Sequence, residues 1–258
     1  MALEFEIADD PARACAAMLV GVAAGGGHIV LTGGSTPRDA YSSFVHVVQS
    51  VGVDVSRSVL WFSDERCVPP DDERSNYGMV RASLLDPLGE SSSPMVHRIR
   101  GELGPSDGAD EYERELRAAG TPRFDLVLLG IGPDGHLASM FPDQTSLSER
   151  SRLVLGVEEA GLEPYVSRVT LTFPALVNSR KIVFLATGES KAEAVAAAFG
   201  PNAKPDPHVP SSLLPSQAKD MIVLLDRAAA SGLGPGAGGS RSDGSGGGGS
   251  GRAGTGGA

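Results

Sequence analysis

Short apolar runs rich in β-branched residues recur along the chain, with longer stretches of helical spacing between them. His28–Thr32, Val59–Ser63, Met95–Ile99, Phe124–Leu129, Leu153–Val157, Val169–Thr172, Lys181–Ala186 and Met221–Leu225 read as strands. Several (HIVLT, FDLVLL, KIVFLA, MIVLL) are apolar almost throughout rather than alternating, as expected of parallel strands covered on both faces. Asp9 or Asp10 followed by Pro11 marks a capped helix start, and the alanine-rich segment behind it runs to about Ala24. Pro37–Gln49, Ser75–Leu85, Ser106–Ala119 and Glu189–Phe199 read as further helices. This alternation predicts an α/β fold: a single Rossmann-like, doubly wound domain with a mostly parallel sheet. Such folds bind ligands beyond the carboxyl ends of their strands, near the point where strand order reverses. The loops that follow strands are therefore the places to look for chemistry.

Composition alters this picture at one end. Of the 34 glycines, 14 fall within residues 231–258, where Leu233 is the single bulky apolar side chain. Such a segment buries too little surface to offset its ordering entropy. The expectation is a folded domain over residues 1–230 and a disordered Gly/Ser-rich tail over 231–258. The tail carries Arg241 and Arg252 against Asp243, so the body stands one charge below the chain's net −10. An acidic body with few aromatics has no footprint for nucleic acid or an anionic membrane. No run of apolar residues is long enough to span a bilayer, and MALEFEIADD is acidic where a signal peptide is basic. Cys15 and Cys67 have neither metal nor redox spacing, which suits a reducing compartment and small filler roles. A cytoplasmic protein, favoured as a monomer, is expected.

Four loops carry candidate chemistry. In LTGGSTPRDAY a strand ends, Gly33 and Gly34 allow close backbone approach, Ser35 and Thr36 add hydroxyls, and Pro37 opens a helix. Amides at a helix start suit a phosphate or another anion, and the missing lysine argues against a nucleoside triphosphate loop. An unliganded glycine turn accounts for the same residues equally well. In WFSDERCVPPDDERSNYG, Asp64, Glu65 and Arg66 follow a strand, with Ser75 as a helix cap. Arg66 either meets an anion at the sheet edge or pairs with Asp71, Asp72 or Glu73.

The third loop, FDLVLLGIGPDGHLASMFPD, spells GxGxxG at Gly130, Gly132 and Gly135. A dinucleotide reading is disfavoured, because Pro133-Asp134 interrupts the motif and it does not open the first βα unit. Asp134-Gly135-His136 instead allows a carboxylate to hold one imidazole nitrogen and leave the other as a base. The plain alternative is a histidine capping the next helix. In the fourth loop region, Arg168 precedes a strand, and Lys191 of GESK sits at a helix start, where a cation is unfavourable without an anion. Ser216 to Lys219 matches SxxK without companion motifs and reads as surface.

LTGGSTP, FSDERCVPPDDERSNYG, GIGPDGHLASMFP, RVTLTFPAL and TGESKAEAV, in this order, resemble the 6-phosphogluconolactonase family. Glucosamine-6-phosphate isomerases/deaminases belong to the same superfamily. The resemblance runs from about Ile29 to Leu225 and leaves out the tail. It implies hydrolysis of 6-phospho-D-glucono-1,5-lactone to 6-phosphogluconate in the oxidative pentose phosphate pathway, without metal or organic cofactor. It makes His136 the general base and Asp134 the residue that orients it. Gly33, Gly34, Ser35 and Thr36, with Arg168 and Lys191, would grip the phosphate; Arg66 would be a further contact and Asp64 would lie near the sugar hydroxyls. The deaminases carry a glutamate five residues beyond the histidine, where this chain has Phe141; Asp143 lies two residues further on. A lactone needs only activated water and an oxyanion site, so the lactonase branch is favoured. The alternatives are an isomerase/deaminase that moves a proton with Asp64, and a sugar-phosphate binding protein without turnover.

Overall fold

The computed structural model describes residues 2–89 and 92–234; residues 235–258, most of the expected tail, lie outside the described residues. In chain order the principal elements are β1 (Ala2–Ile7), α1 (Pro11–Ala24), β2 (His28–Leu31), α2 (Ser35–Val51), β3 (Val59–Phe62) and β4 (Asp64–Arg66). There follow α3 (Asn76–Val80), which continues through a π-helical turn at Arg81–Leu85 into α4 (Asp86–Leu88), then β5 (Met95–Val96) and α5 (Pro105–Ala118). The rest comprises β6 (Phe124–Leu129), β7 (Val154–Val157), β8 (Arg168–Leu171), α6 (Phe173–Val177), β9 (Ser179–Ala186), α7 (Ala192–Phe199) and β10 (Asp220–Leu225).

Seven strands form one sheet in the order β1-β10-β9-β6-β2-β3-β5, every pair parallel. From β2 the chain winds outward through β3 to β5; from β6 it winds the other way through β9 to β10. The order therefore reverses between β2 and β6, and the loops after these two strands flank the switch point. The interior strands are buried along nearly their whole length, which is why FDLVLL and DMIVLL show no alternation. Beyond Leu31 the backbone amide and carbonyl of Thr32 are both held by the Tyr41 hydroxyl, at 3.0 and 2.7 Å, which fixes the exit of β2.

The parallel α/β reading holds, with three corrections. β1 was not expected: ALEFEI adds an edge strand beside β10, with Glu4 and Glu6 exposed. Leu153–Val157 and Val169–Thr172 are strands, but they belong to a separate antiparallel sheet, β4-β8-β7. Its third member, β4, is only the three residues Asp64–Arg66. Finally, the tail does not begin at 231. Ser231–Leu233 form a helical turn, Leu233 is buried, and a Cβ on Gly232 would press on the Ala192 carbonyl oxygen at 2.8 Å. Among the described residues no helix is long and apolar enough to cross a membrane.

Candidate active site

The loops after β2 and β6, the β4 strand, the start of α3 and the segment before β8 enclose a cleft of about 210 Å³. Gly33, Gly34, Asp64, Arg66, His136, Arg168 and Lys191 all line it. Ser35 and Thr36 do not: Ser35 begins α2, and the Thr36 hydroxyl lies 3.0 Å from that of Thr187, tying the β2 loop to the one after β9. The Ser35 and Thr36 hydroxyls therefore form no part of the cleft wall. Gly34 has a φ of +114°, and a Cβ on Gly33 would collide with the Asn76 side chain. Both glycines are therefore demanded by the geometry.

The loop after β6 is built around its histidine. His136 Nδ1 lies 2.6 Å from Asp134 Oδ1, and the same oxygen accepts the His136 amide at 3.2 Å. Gly135 turns the chain with a φ of +78°, while a Cβ on Gly132 would collide with the His136 ring. Two of the three GxGxxG glycines thus serve the histidine turn; around the site of a Cβ on Gly130 there is open space. No helix starts here, so His136 is not a helix cap: turns and a Leu137–Met140 bridge follow it. The imidazole packs on Phe141, ring centroids 4.8 Å apart, and its Nε2 has no hydrogen-bond partner among the described residues. Burial works to raise the Asp134 pKa, but the hydrogen bond and charge of His136 outweigh it, leaving the carboxyl below its ordinary value. Asp134 is therefore a carboxylate at neutral pH.

The cationic groups are less free than their sequence positions suggest. Lys191 donates from Nζ to the Ile131 carbonyl at 2.8 Å, and burial lowers its pKa against the pull of Asp134. Arg168 is buried, with Nε on the Val166 carbonyl at 3.0 Å and Nη2 on those of Pro164 and Leu162 at 2.7 and 3.3 Å. Its neighbour across the β4–β8 ladder is Arg66, and burial together with that like charge lowers the Arg168 pKa. Arg66 pairs with none of Asp71, Asp72 and Glu73. Its Nη1 donates to the Arg74 carbonyl at 2.6 Å, Asp72 pairs with Arg74 instead, and Arg66 Nε is buried without a partner. An unpartnered buried guanidinium N–H beside a cleft is a ready donor to an anion.

Asp64 lines the cleft, but its carboxylate is already engaged. Ser139 donates to Oδ2 at 2.7 Å, and Ser63 and Asn76 to Oδ1 at 3.0 and 3.3 Å. Glu65 faces the protein rather than the cleft. It accepts the amides of Arg66, Asn76 and Tyr77 and the Ser75 hydroxyl, while burial pushes its pKa up. The reading from sequence missed Asn76, which bridges Asp64 to the β2 loop, and the wall residues Leu162 and Glu163. Asn76 sat inside a quoted motif; nothing local marked the other two. Among the described residues no cluster of three or more His, Cys, Asp or Glu is placed to hold a metal ion.

Comparison with known proteins places the chain in a family. The model of the family described as glucosamine-6-phosphate isomerases/6-phosphogluconolactonase matches residues 4–223. A 6-phosphogluconolactonase of Homo sapiens is 37% identical over 205 residues, covering 78% of each chain. One of Treponema pallidum is 35% identical over 208 residues, 76% of this chain and 82% of its own. The solved 6-phosphogluconolactonase of Trypanosoma brucei superposes with a TM-score of 0.76 at 26% identity, over 90% of this chain and 99% of the other. With the family model spanning the sheet and every cleft loop, the chain belongs to the glucosamine-6-phosphate isomerase/6-phosphogluconolactonase family.

Proposed function

We propose that this protein hydrolyses 6-phospho-D-glucono-1,5-lactone to 6-phosphogluconate, with His136 as general base. The observation that carries the reading is the 2.6 Å contact between Asp134 and His136 Nδ1, beside a cleft lined by glycine backbone and arginine. A carboxylate at Nδ1 selects the tautomer with its proton there and leaves Nε2 as the acceptor. Nε2 takes a proton from water as the water attacks the lactone carbonyl. The imidazolium, stabilised by Asp134, then returns that proton to the departing ring oxygen. Arg66 Nε and the Gly33–Gly34 backbone, with Arg168 and Lys191, hold the phosphate, so that binding at the unreactive end fixes C1 against His136.

Two observations favour this over ring opening of an amino sugar. Phe141, which stands where the family resemblance implies a glutamate in the deaminases, packs on His136. Asp143 is not among the cleft residues; it pairs with His208 at 2.8 Å on the exposed surface. The test is the loss of freshly made lactone at neutral pH, above its spontaneous hydrolysis, with wild type and His136→Ala side by side. Acceleration by wild type and a fall of about 100-fold or more in the variant are expected. A wild type no faster than background overturns the reading, and ammonia release from glucosamine 6-phosphate would replace it.

A further inference from the structure

A sugar ring offers hydroxyl donors, and the acceptors of the cleft can be taken one at a time. Asp134 is committed to His136, and Asp64 already accepts from Ser63, Asn76 and Ser139. The Ile131 carbonyl receives Lys191, and the Asn76 amide lies against Gly33 while donating to Asp64. Glu163 remains. It lines the cleft, and among the described residues its carboxylate has neither a hydrogen bond nor an ion pair.

Its placement is not casual. Arg168 Nη2 binds the carbonyls of Leu162 and Pro164, the residues on either side of Glu163, at 3.3 and 2.7 Å. The guanidinium carbon of Arg168 lies 5.9 Å from the Phe141 ring centroid, and that ring packs on His136. Gly161, two residues before Glu163, meets Phe141 as well: a Cβ there would come within 3.1 Å of the ring. The wall carrying Glu163 is therefore built on the Phe141 ring, which itself packs on His136. A carboxylate is acceptor-only and can take two neighbouring hydroxyls at once, while its charge repels an anion such as phosphate.

We infer that Glu163 is a specificity-determining residue that accepts the ring hydroxyls of the sugar, and that Arg168 positions it by clamping the backbone on both sides. This rests on the lactonase reading for its substrate. It moves hydroxyl recognition from Asp64, where the family resemblance put it, to a residue that no motif marked.

The test measures kcat and KM for the lactone in Glu163→Ala and Glu163→Gln, with binding of 6-phosphogluconate and of inorganic phosphate by calorimetry. In Glu163→Ala, KM and the 6-phosphogluconate Kd rise about tenfold, the loss of a charge-assisted hydrogen bond. There kcat stays within about threefold, and inorganic phosphate binds as well or more tightly because a negative charge has left the cleft. Glu163→Gln, which keeps one acceptor oxygen, falls in between. Equal weakening of phosphate and 6-phosphogluconate would overturn the proposal in favour of a wall that merely supports the cleft. Unchanged affinity for both would remove Glu163 from recognition altogether. If wild type proves not to hydrolyse the lactone, the lactonase reading fails on its own, and the two calorimetric titrations still decide the role of Glu163.

Discussion

Two histidines of this protein are held by carboxylates in nearly the same way. His136 Nδ1 lies 2.6 Å from Asp134, and His97 Nδ1 lies 2.6 Å from Glu115. Their side chains are almost equally exposed, 19% and 18%. What differs is the company each ring keeps. His97 is stacked flat on Trp61, with centroids 4.0 Å apart and planes 10° from parallel, and the Trp61 ring packs toward His28 and Phe124, the first residues of β2 and β6. His136 stands at the opposite end, where those strands finish, among glycine backbone and arginines. Cavity size would choose wrongly between them. The groove that Glu115 lines measures about 620 Å³ against about 210 Å³ for the cleft of His136. Most of its charged groups are already paired: Arg98 with Glu102, Arg100 with Glu111, and Glu115 with His97. A carboxylate–histidine pair becomes a candidate base only where the second nitrogen meets an unsatisfied anion site.

The largest expected effect breaks this comparison outright. His136→Ala lowers kcat for the lactone by about 100-fold or more, whereas His97→Ala leaves kcat within about twofold. The second variant loses an aromatic stack instead. Thermal unfolding should show it melting about 2–4 °C lower, the equivalent of roughly 1 kcal/mol in a domain of this size. Comparable losses of activity in both would mean that the pairing itself, and not the surroundings, carries the chemistry.

The glycines sharpen the comparison at the level of backbone. Gly132→Ala forces the His136 ring aside, and a displacement of about 1 Å is enough to cost up to 100-fold in rate. Gly130→Ala adds a methyl to the open cleft that Gly130 lines, clear of the histidine turn, so kcat is expected within about threefold while KM rises, with stability unchanged or raised by up to about 1 kcal/mol. Side-by-side kinetics of the two variants separate a histidine scaffold from a dinucleotide fingerprint, in which both glycines would matter.

Acid titration probes the pair at the candidate base. The folded state holds Asp134 below its ordinary value, so its contribution to stability is complete above about pH 4 and is lost as pH falls through the lower folded value. Denaturation midpoints followed from pH 5 to pH 2 should therefore fall less steeply in Asp134→Asn than in wild type. Parallel curves would show that Asp134 contributes nothing to acid stability.

These contrasts also mark what the chain discloses before folding. The interior strands were legible because burial on both faces leaves unbroken apolar runs, as in FDLVLL. The edge strand ALEFEI was not, since its exposed glutamates imitate a polar terminus. The small antiparallel sheet was half legible: β7 and β8 carry apolar residues, but their partner β4 is Asp-Glu-Arg and owes its conformation to pairing with β8. Gly33, Gly34, Arg66, His136 and Lys191 could be collected at one sheet edge from strand-end position alone. The engagement of Asp64 could not, because its partner Ser139 is 75 residues away and meets it only through the fold. Glu163 is hidden for the same reason: a surface-looking glutamate acquires meaning from Arg168 clamping its neighbours.

The smallest effect belongs to the other histidine cluster and supplies its own reporter, since Trp61 is the single tryptophan of the chain. The Trp61 indole N–H donates to His28 Nδ1 at 3.1 Å, and Trp61 is fully buried. Only a neutral imidazole can accept that bond, so protonating His28 would leave a buried donor unpaired. Burial accordingly lowers the His28 pKa, with Asp125 opposing and His97 assisting. Because the folded value lies below the unfolded one, near 6.5, the unfolded chain binds the proton first. Stability should therefore slope downward as pH drops below about 6.5 and level off once pH passes the folded value. Unfolding followed by Trp61 emission between pH 7.5 and pH 5 checks this, and His28→Gln, whose amide oxygen accepts at any pH, should flatten the slope. A slope unchanged in His28→Gln would assign the pH dependence to another group. Activity at pH 7 should not respond to that substitution, because the cluster lies at the end of the sheet away from the cleft.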